Sequence, residues 1–448
     1  MKTYFLPYAV GPTGLLRDVA VDVEGGRIAA VRPGSAPHGE RLDGVALPGF
    51  ANAHSHAFHR ALRGRTHGAR GSFWTWRDLM YEVGGRLDPD SYYRLARAVY
   101  GEMALGGITA VGEFHYLHHR PDGSSYHDPN AMGHALVAAA ADAGIRITLL
   151  DTLYLTSSVD GRPLEGVQRR FGDGDLDGWA ARVAALKGAP HARIGAAVHS
   201  VRAVPAKVLA GMAEFLDAAG GDGPGGGGSG PGGGGLGSGR PLHVHLSEQR
   251  AENEQCLAVH GCTPTELLER NGLLGPGTTA VHATHLTGGD VATLGRTGTG
   301  VCFCPTTERD LADGIGPARA LVDAGARLSL GSDSHAVIDM FEEIRGVEMN
   351  ERLAAEERGR FTPAQLTAAA AAHGSLGWDD AGELAPGKRA DLVVVRLDSV
   401  RTAGSDPEQA VFAATAADVT HVIADGRMIV ADGRHTAIDV PAALREAL

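Results

Sequence analysis

The stretch Pro48–Gly64, PGFANAHSHAFHRALRG, carries a short apolar run that ends on His54-x-His56. Side chains two apart on a strand share a face, so the two imidazoles can chelate one ion. The same pattern recurs downstream: His245 and Glu248 in HVHLSE, His282 in VHATH and Asp333 in GSDSH each stand at or just past the end of an apolar run. Polar groups at the ends of successive strands are the arrangement of a (β/α)8 barrel, whose site lies at the C-terminal strand ends. The pattern points to a metal-dependent hydrolase.

Working outward from Pro48, the chain alternates strand-like and helix-like segments, the mark of a parallel sheet with crossovers. GFANAH, TAVGEFHY, RITLLD, RIGAAVH, PLHVHL, TTAVHA, GVCFC and RLSLGSD are the strand candidates, and their number matches a complete barrel. DPDSYYRLARAVYGEMALGG and PAKVLAGMAEFLDAAG read as helices between them, the first opened by a cap-like Asp88 and Pro89. Both termini read instead as short β runs broken by Gly turns, VAVDVEGGRIAAVRPG at one end and ADLVVVRL with THVIADGRMIVADGR at the other. The fold expected is therefore α/β: a TIM-like barrel over 48–384, with a small β-sandwich domain formed from 1–47 and 385–448. The segment GGDGPGGGGSGPGGGGLGSGR, residues 220–240, has no apolar anchors to offset ordering entropy. It reads as a flexible, tolerated insertion at the face opposite the site.

The chemistry follows from residue type. His245 adds a third nitrogen to His54 and His56, and Asp333 an anionic oxygen, a set suited to one zinc ion, with iron or manganese as other fits. Such an ion lowers the pKa of bound water from ~15.7 toward ~7, and Asp333 can accept the proton released. Glu248, three residues past His245, can turn back as a proton shuttle to a leaving amine, and His282 can polarise the attacking or developing oxygen. No lysine stands at the end of the fourth strand candidate, so one ion rather than a carbamate-bridged pair is expected. With 21 histidines in the chain a lone histidine carries little weight; the ordered recurrence carries the reading. His243 shares a face with His245 and is read as structural, and Cys302 and Cys304 as packing residues.

Composition narrows the alternatives. A chain of 448 residues, 43% hydrophobic, can bury a barrel core and an appended domain. A net charge of -12 and a pI near 5.9 argue against a nucleic-acid footprint and a polybasic membrane patch. Four cysteines point to a reducing compartment rather than a disulfide framework. Pro7 breaks the only apolar N-terminal run, and no stretch has membrane-spanning length, so a soluble cytoplasmic protein is expected.

Taken in order, PGFANAHSHAFHRALRG, HVHLSEQ, VHATHL, CPTTERDLADG, GSDSHA and APGKRADLVVV resemble the deaminase branch of the amidohydrolase superfamily over nearly the whole chain. Within that branch EFHYLHH, HSVRAV and FWTWRDLMY look most like members that deiminate the linear dicarboxylate amidine N-formimino-L-glutamate. The resemblance implies a small dicarboxylate substrate and a homodimer. For such a substrate Arg202 offers a carboxylate partner, Arg77 a second, and His199 and Tyr116 hydrogen bonds. Where the family pattern has SHAFQR this chain has SHAFHR, so His59 stands in the place of a substrate-contacting glutamine. A deaminase of a cyclic amidine such as guanine or cytosine stays open on the same metal machinery, and so does an inactive barrel kept as a binding protein.

Overall fold

Each of the eight apolar runs forms one strand of a parallel sheet in the computed structural model, which describes residues 1–67, 73–219 and 240–448. In chain order they are β1 (Phe50–Ser55), β2 (Ile108–His115), β3 (Arg146–Leu153), β4 (Ala192–Val198), β5 (Leu242–Leu246), β6 (Thr278–His282), β7 (Gly300–Phe303) and β8 (Leu328–Leu330). Each pairs with the next in sequence. β1, β2 and β3 are buried at every residue because helices cover one face and the barrel interior the other.

Closure between β8 and β1 rests on polar pairs. Asn52 Oδ1 accepts from the Ser332 amide at 2.9 Å, and its amide group donates to Ser332 Oγ at 2.7 Å. Beyond them the Asp333 N–H donates to His54 O at 3.0 Å. A side chain at Gly331 would come within 2.9 Å of the His54 backbone, so glycine is required for this approach.

The helix α1 (Phe73–Arg86) precedes α2 (Pro89–Leu105). Asp88 caps α2 as its sequence predicts, accepting from the Ser91 amide at 2.8 Å, with Pro89 in the first turn. The predicted helix after β4 spans Ala206–Ala219. The glycine-rich stretch expected to be a flexible loop at 220–240 lies outside the described residues except for Arg240.

The two ends of the chain meet in one nine-stranded sheet. Its centre is the antiparallel pairing of Leu392–Val395 from the C-terminal segment with Val45–Pro48 from the N-terminal one. This sheet has its own apolar core, including Tyr4, Val21 and Ile423, and joins the barrel directly at Gly49. Among the described residues no helix is long and apolar enough to cross a membrane.

Candidate active site

Three strand ends turn sharply out of the sheet. Ser247, His282 and Asp333, none of them glycine, have φ of 51°, 68° and 41°. Such backbone costs about 1–3 kcal/mol per residue and is retained where side chains must be aimed. Here it turns the chain just after β5, at the end of β6 and just after β8, and brings the polar groups together at one mouth.

At the centre of that mouth four predicted ligands converge. His54 Nε2 lies 3.1 Å from His245 Nε2 and 3.4 Å from Asp333 Oδ1, and His56 Nε2 is also 3.4 Å from Asp333 Oδ1. His56 Nδ1 donates to Phe114 O and His245 Nδ1 to His199 O, each at 2.9 Å. A carbonyl can only accept, so in the neutral rings each Nε2 keeps a bare lone pair facing the centre. Burial favours the neutral form: it pulls the His56 pKa down to about 3, with His54 beside it adding to the effect. Asp333 is held well below the usual carboxylate range, since His54, His282 and His56 outweigh the effect of burial. Converging lone pairs and a carboxylate at this spacing repel one another unless a cation lies among them. The three-nitrogen, one-oxygen donor set fits zinc.

His282 and Glu248 flank this centre. His282 Nε2 is 3.9 Å from Glu248 Oε1 and 3.8 Å from Asp333 Oδ2. Burial disfavours its charged form, yet Glu248, Glu308 and Asp333 raise its pKa well above the ordinary value. Burial raises Glu248 in turn, as expected of a carboxyl that carries a proton.

A cavity opens over these residues. His59, Tyr116, His199 and Arg202 all line it, as does Arg77 from α1. His59 Nε2 is 3.0 Å from Tyr116 Oη, and the His199 ring lies 4.5 Å from that of Tyr154. Arg202 Nε is 3.5 Å from the Glu252 carboxylate. His243, by contrast, donates from Nε2 to Ser375 O at 2.9 Å, consistent with a structural role. Cys302 and Cys304 pack with Ala53 and Val281.

Several residues here were not singled out by sequence reasoning. Glu308, inside CPTTERDLADG, accepts from the Cys304 amide at 2.8 Å and sits 3.4 Å from His282 Nδ1. Its signal was an acidic residue in the first turn after β7, a position that looks like ordinary helix capping. Trp76, Met80, Tyr81, Tyr154 and Phe171 complete the walls. Of these only Tyr154, one residue past β3, stood at a recognisable strand end. Glu113 is buried against Ser55 Oγ and the Ala57 amide, each at 2.7 Å, and braces the turn after β1.

A second buried histidine and aspartate grouping, His115, His118 and Asp151, lies elsewhere. Asp151 already accepts from Trp179 Nε1 at 3.0 Å and from Arg182 at 2.8 and 2.7 Å. A guanidinium in contact with the only carboxylate of the group opposes a metal cation, so this is an internal ion-pair network.

The comparisons with known proteins agree with the geometry. The Amidohydrolase family model matches residues 45–221 and 237–429. Formimidoylglutamate deiminase of Pseudomonas aeruginosa is 37% identical, covering 97% of this chain and 96% of that one. 8-Oxoguanine deaminase of the same organism is 30% identical, covering 89% and 85%. The crystal structure of an amidohydrolase from Brucella melitensis superposes with a TM-score of 0.87 at 29% identity, covering 100% and 99%.

Proposed function

The chain belongs to the amidohydrolase family, and within it we propose that it hydrolyses N-formimino-L-glutamate to N-formyl-L-glutamate and ammonia, a step of histidine breakdown. One observation carries this reading: a single cavity is lined by His56, His245 and Asp333, with His54 in contact beneath them, by His282 and Glu248, and by the guanidinium residues Arg77 and Arg202. An amidine carbon and two carboxylates on one small molecule match that division. The 37% identical formimidoylglutamate deiminase supports it.

His54, His56, His245 and Asp333 would hold a single zinc ion. An ion held there would lower the pKa of a water toward neutral and so supply hydroxide. Asp333 accepts the proton given up by the water. The water oxygen bonds to the formimino carbon, and His282, held by Glu308, stabilises the charge developing on it. Glu248 delivers one proton to the terminal nitrogen and Asp333 passes on the one it took from the water. The carbon–nitrogen bond breaks, ammonia leaves, and the remaining hydroxyl proton goes to the Glu248 carboxylate as the formyl carbonyl forms. Arg202 takes one carboxylate as a charge-assisted pair and Arg77 the other, while Tyr116, His59 and His199 orient the formimino end. His59 gives an imidazole in place of an amide, keeping a donor and an acceptor in a shorter, planar group.

Deamination of an aminated heterocycle is the second reading. Trp76, Tyr116, Tyr154 and Phe171 supply aromatic walls on which a planar ring can stack, and the 30% identical relative is an 8-oxoguanine deaminase. Ammonia release from N-formimino-L-glutamate, with guanine, 8-oxoguanine and cytosine in parallel and metal content measured on the same sample, separates the two. Release from the linear substrate, lost on chelation and restored by zinc, is the expected result. Release only from a heterocycle would replace it with the second reading.

A further inference from the structure

Gln168 does not line the cavity, yet it touches two residues that do. It lies in the short 3-10 helix Gly166–Arg170 and is 7% exposed. Its Nε2 donates to Tyr81 Oη at 3.1 Å and to Tyr154 Oη at 3.5 Å. The orientation of the amide is chemically determined: the Glu165 backbone N–H, which can only donate, faces Oε1 at 3.2 Å, so the NH2 group must face the phenols.

This fixes the direction of the hydrogen bonds at the wall. Each phenol oxygen accepts from Gln168, so neither hydroxyl proton can be given back to that amide. The phenolic protons therefore need acceptors other than Gln168. Arg77 lies 5.4 Å over the Tyr81 ring, and Arg77 and Arg202 both act electrostatically on Tyr154, but guanidinium groups only donate. Burial raises the Tyr154 pKa above the ordinary phenol value, so the phenol keeps its proton at working pH. Among the described residues neither phenol donates to a carboxylate or a carbonyl, and an anion entering beside the two arginines supplies that acceptor: a carboxylate takes a phenolic proton together with the guanidinium N–H groups. The same short helix is tied to α1, which carries Arg77 and Tyr81, because Arg170 donates to Leu87 O at 2.6 Å and to Gly84 O.

We propose that Gln168 is a positioning residue that makes the Tyr81–Tyr154 pair a proton donor toward a substrate carboxylate held near Arg77 and Arg202. This deepens the reading of the substrate as a dicarboxylate and rests on it. Replacing the amide by a carboxylate, Gln168→Glu, keeps the size and the bond from Glu165 but turns the phenolic protons away from the cavity. Gln168→Met removes the polar contacts without adding charge.

The test compares N-formimino-L-glutamate with its uncharged diamide in the zinc-loaded full chain. In Gln168→Glu the KM for the dicarboxylate should rise at least tenfold with kcat held within about threefold, and the kcat/KM preference for dicarboxylate over diamide should fall at least tenfold. Gln168→Met should fall between that variant and the parent. Tyr81→Phe/Tyr154→Phe should raise KM in the parent and add less than twofold in Gln168→Glu. A dicarboxylate preference unchanged within twofold in both Gln168 variants, or equal losses on the two substrates, overturns the inference while the substrate reading stands. A parent protein that releases no ammonia from N-formimino-L-glutamate removes the substrate reading and this inference with it.

Discussion

His282 presents Nδ1 to Glu308 at 3.4 Å, and Glu308 is itself fixed by the Cys304 amide at 2.8 Å. The pair sets the tautomer and tilt of the ring whose Nε2 faces Asp333 and Glu248. Glu308→Gln keeps the size and removes the charge, so kcat should fall about 10–100-fold. Metal content should stay near one per chain. An unchanged kcat measured alongside metal analysis would leave Glu308 as a helix cap only.

Glu248 approaches His282 from the other side of the ring at 3.9 Å. In the proposed role of proton carrier to the leaving nitrogen, it should contribute about 10²–10⁴-fold to turnover. Glu248→Gln should therefore bind zinc normally and lose most ammonia release. Near-parental kcat in that variant would take Glu248 out of the chemistry.

Arg202→Met should act on capture rather than turnover. Loss of a charge-assisted bond to a carboxylate is worth about 1.5–3 kcal/mol, a drop of roughly 10–150-fold in kcat/KM carried by KM. Steady-state kinetics over a wide substrate range checks this, and an unchanged kcat/KM would refute the carboxylate role.

Away from the site, Arg146 at the start of β3 pairs with Asp391 of the terminal sheet, both about 1% exposed, with Nη1 3.1 Å from Oδ1. Burial opposes the Asp391 anion, and Arg146 outweighs it, so the folded pKa lies below the ordinary 3.8. A lowered folded pKa contributes stability that is present above the unfolded value and lost as pH falls through the folded one. Removing one partner of a buried pair costs about 3–5 kcal/mol, and Asp425, 2.9 Å from Arg146, should hold Asp391→Asn near the lower end. Denaturant titrations should show a less stable variant at pH 7, with the gap to the parent closing as pH falls below about 4. A constant gap across that range would mean that Asp391 is not held as an anion by Arg146.

The eight strands of the barrel and the pairing of the two termini were legible in the local pattern of the chain, which also marked His54, His56, His245 and Asp333 as candidate donors. Those features are local and periodic: apolar runs, turn residues, and histidines two apart on a strand have the same meaning wherever the chain goes. Tertiary structure alone decided which polar residues meet. Glu308 reads as a helix cap until β6 and β7 lie side by side and bring it to His282. Gln168 reads as an unremarkable residue of a loop until the segment after β3 folds against α1. Asp151, which by type could have ligated a metal with His115 and His118, is instead held by Arg182, 31 positions away. Contacts of that separation depend on the packing of whole elements, which no local pattern encodes.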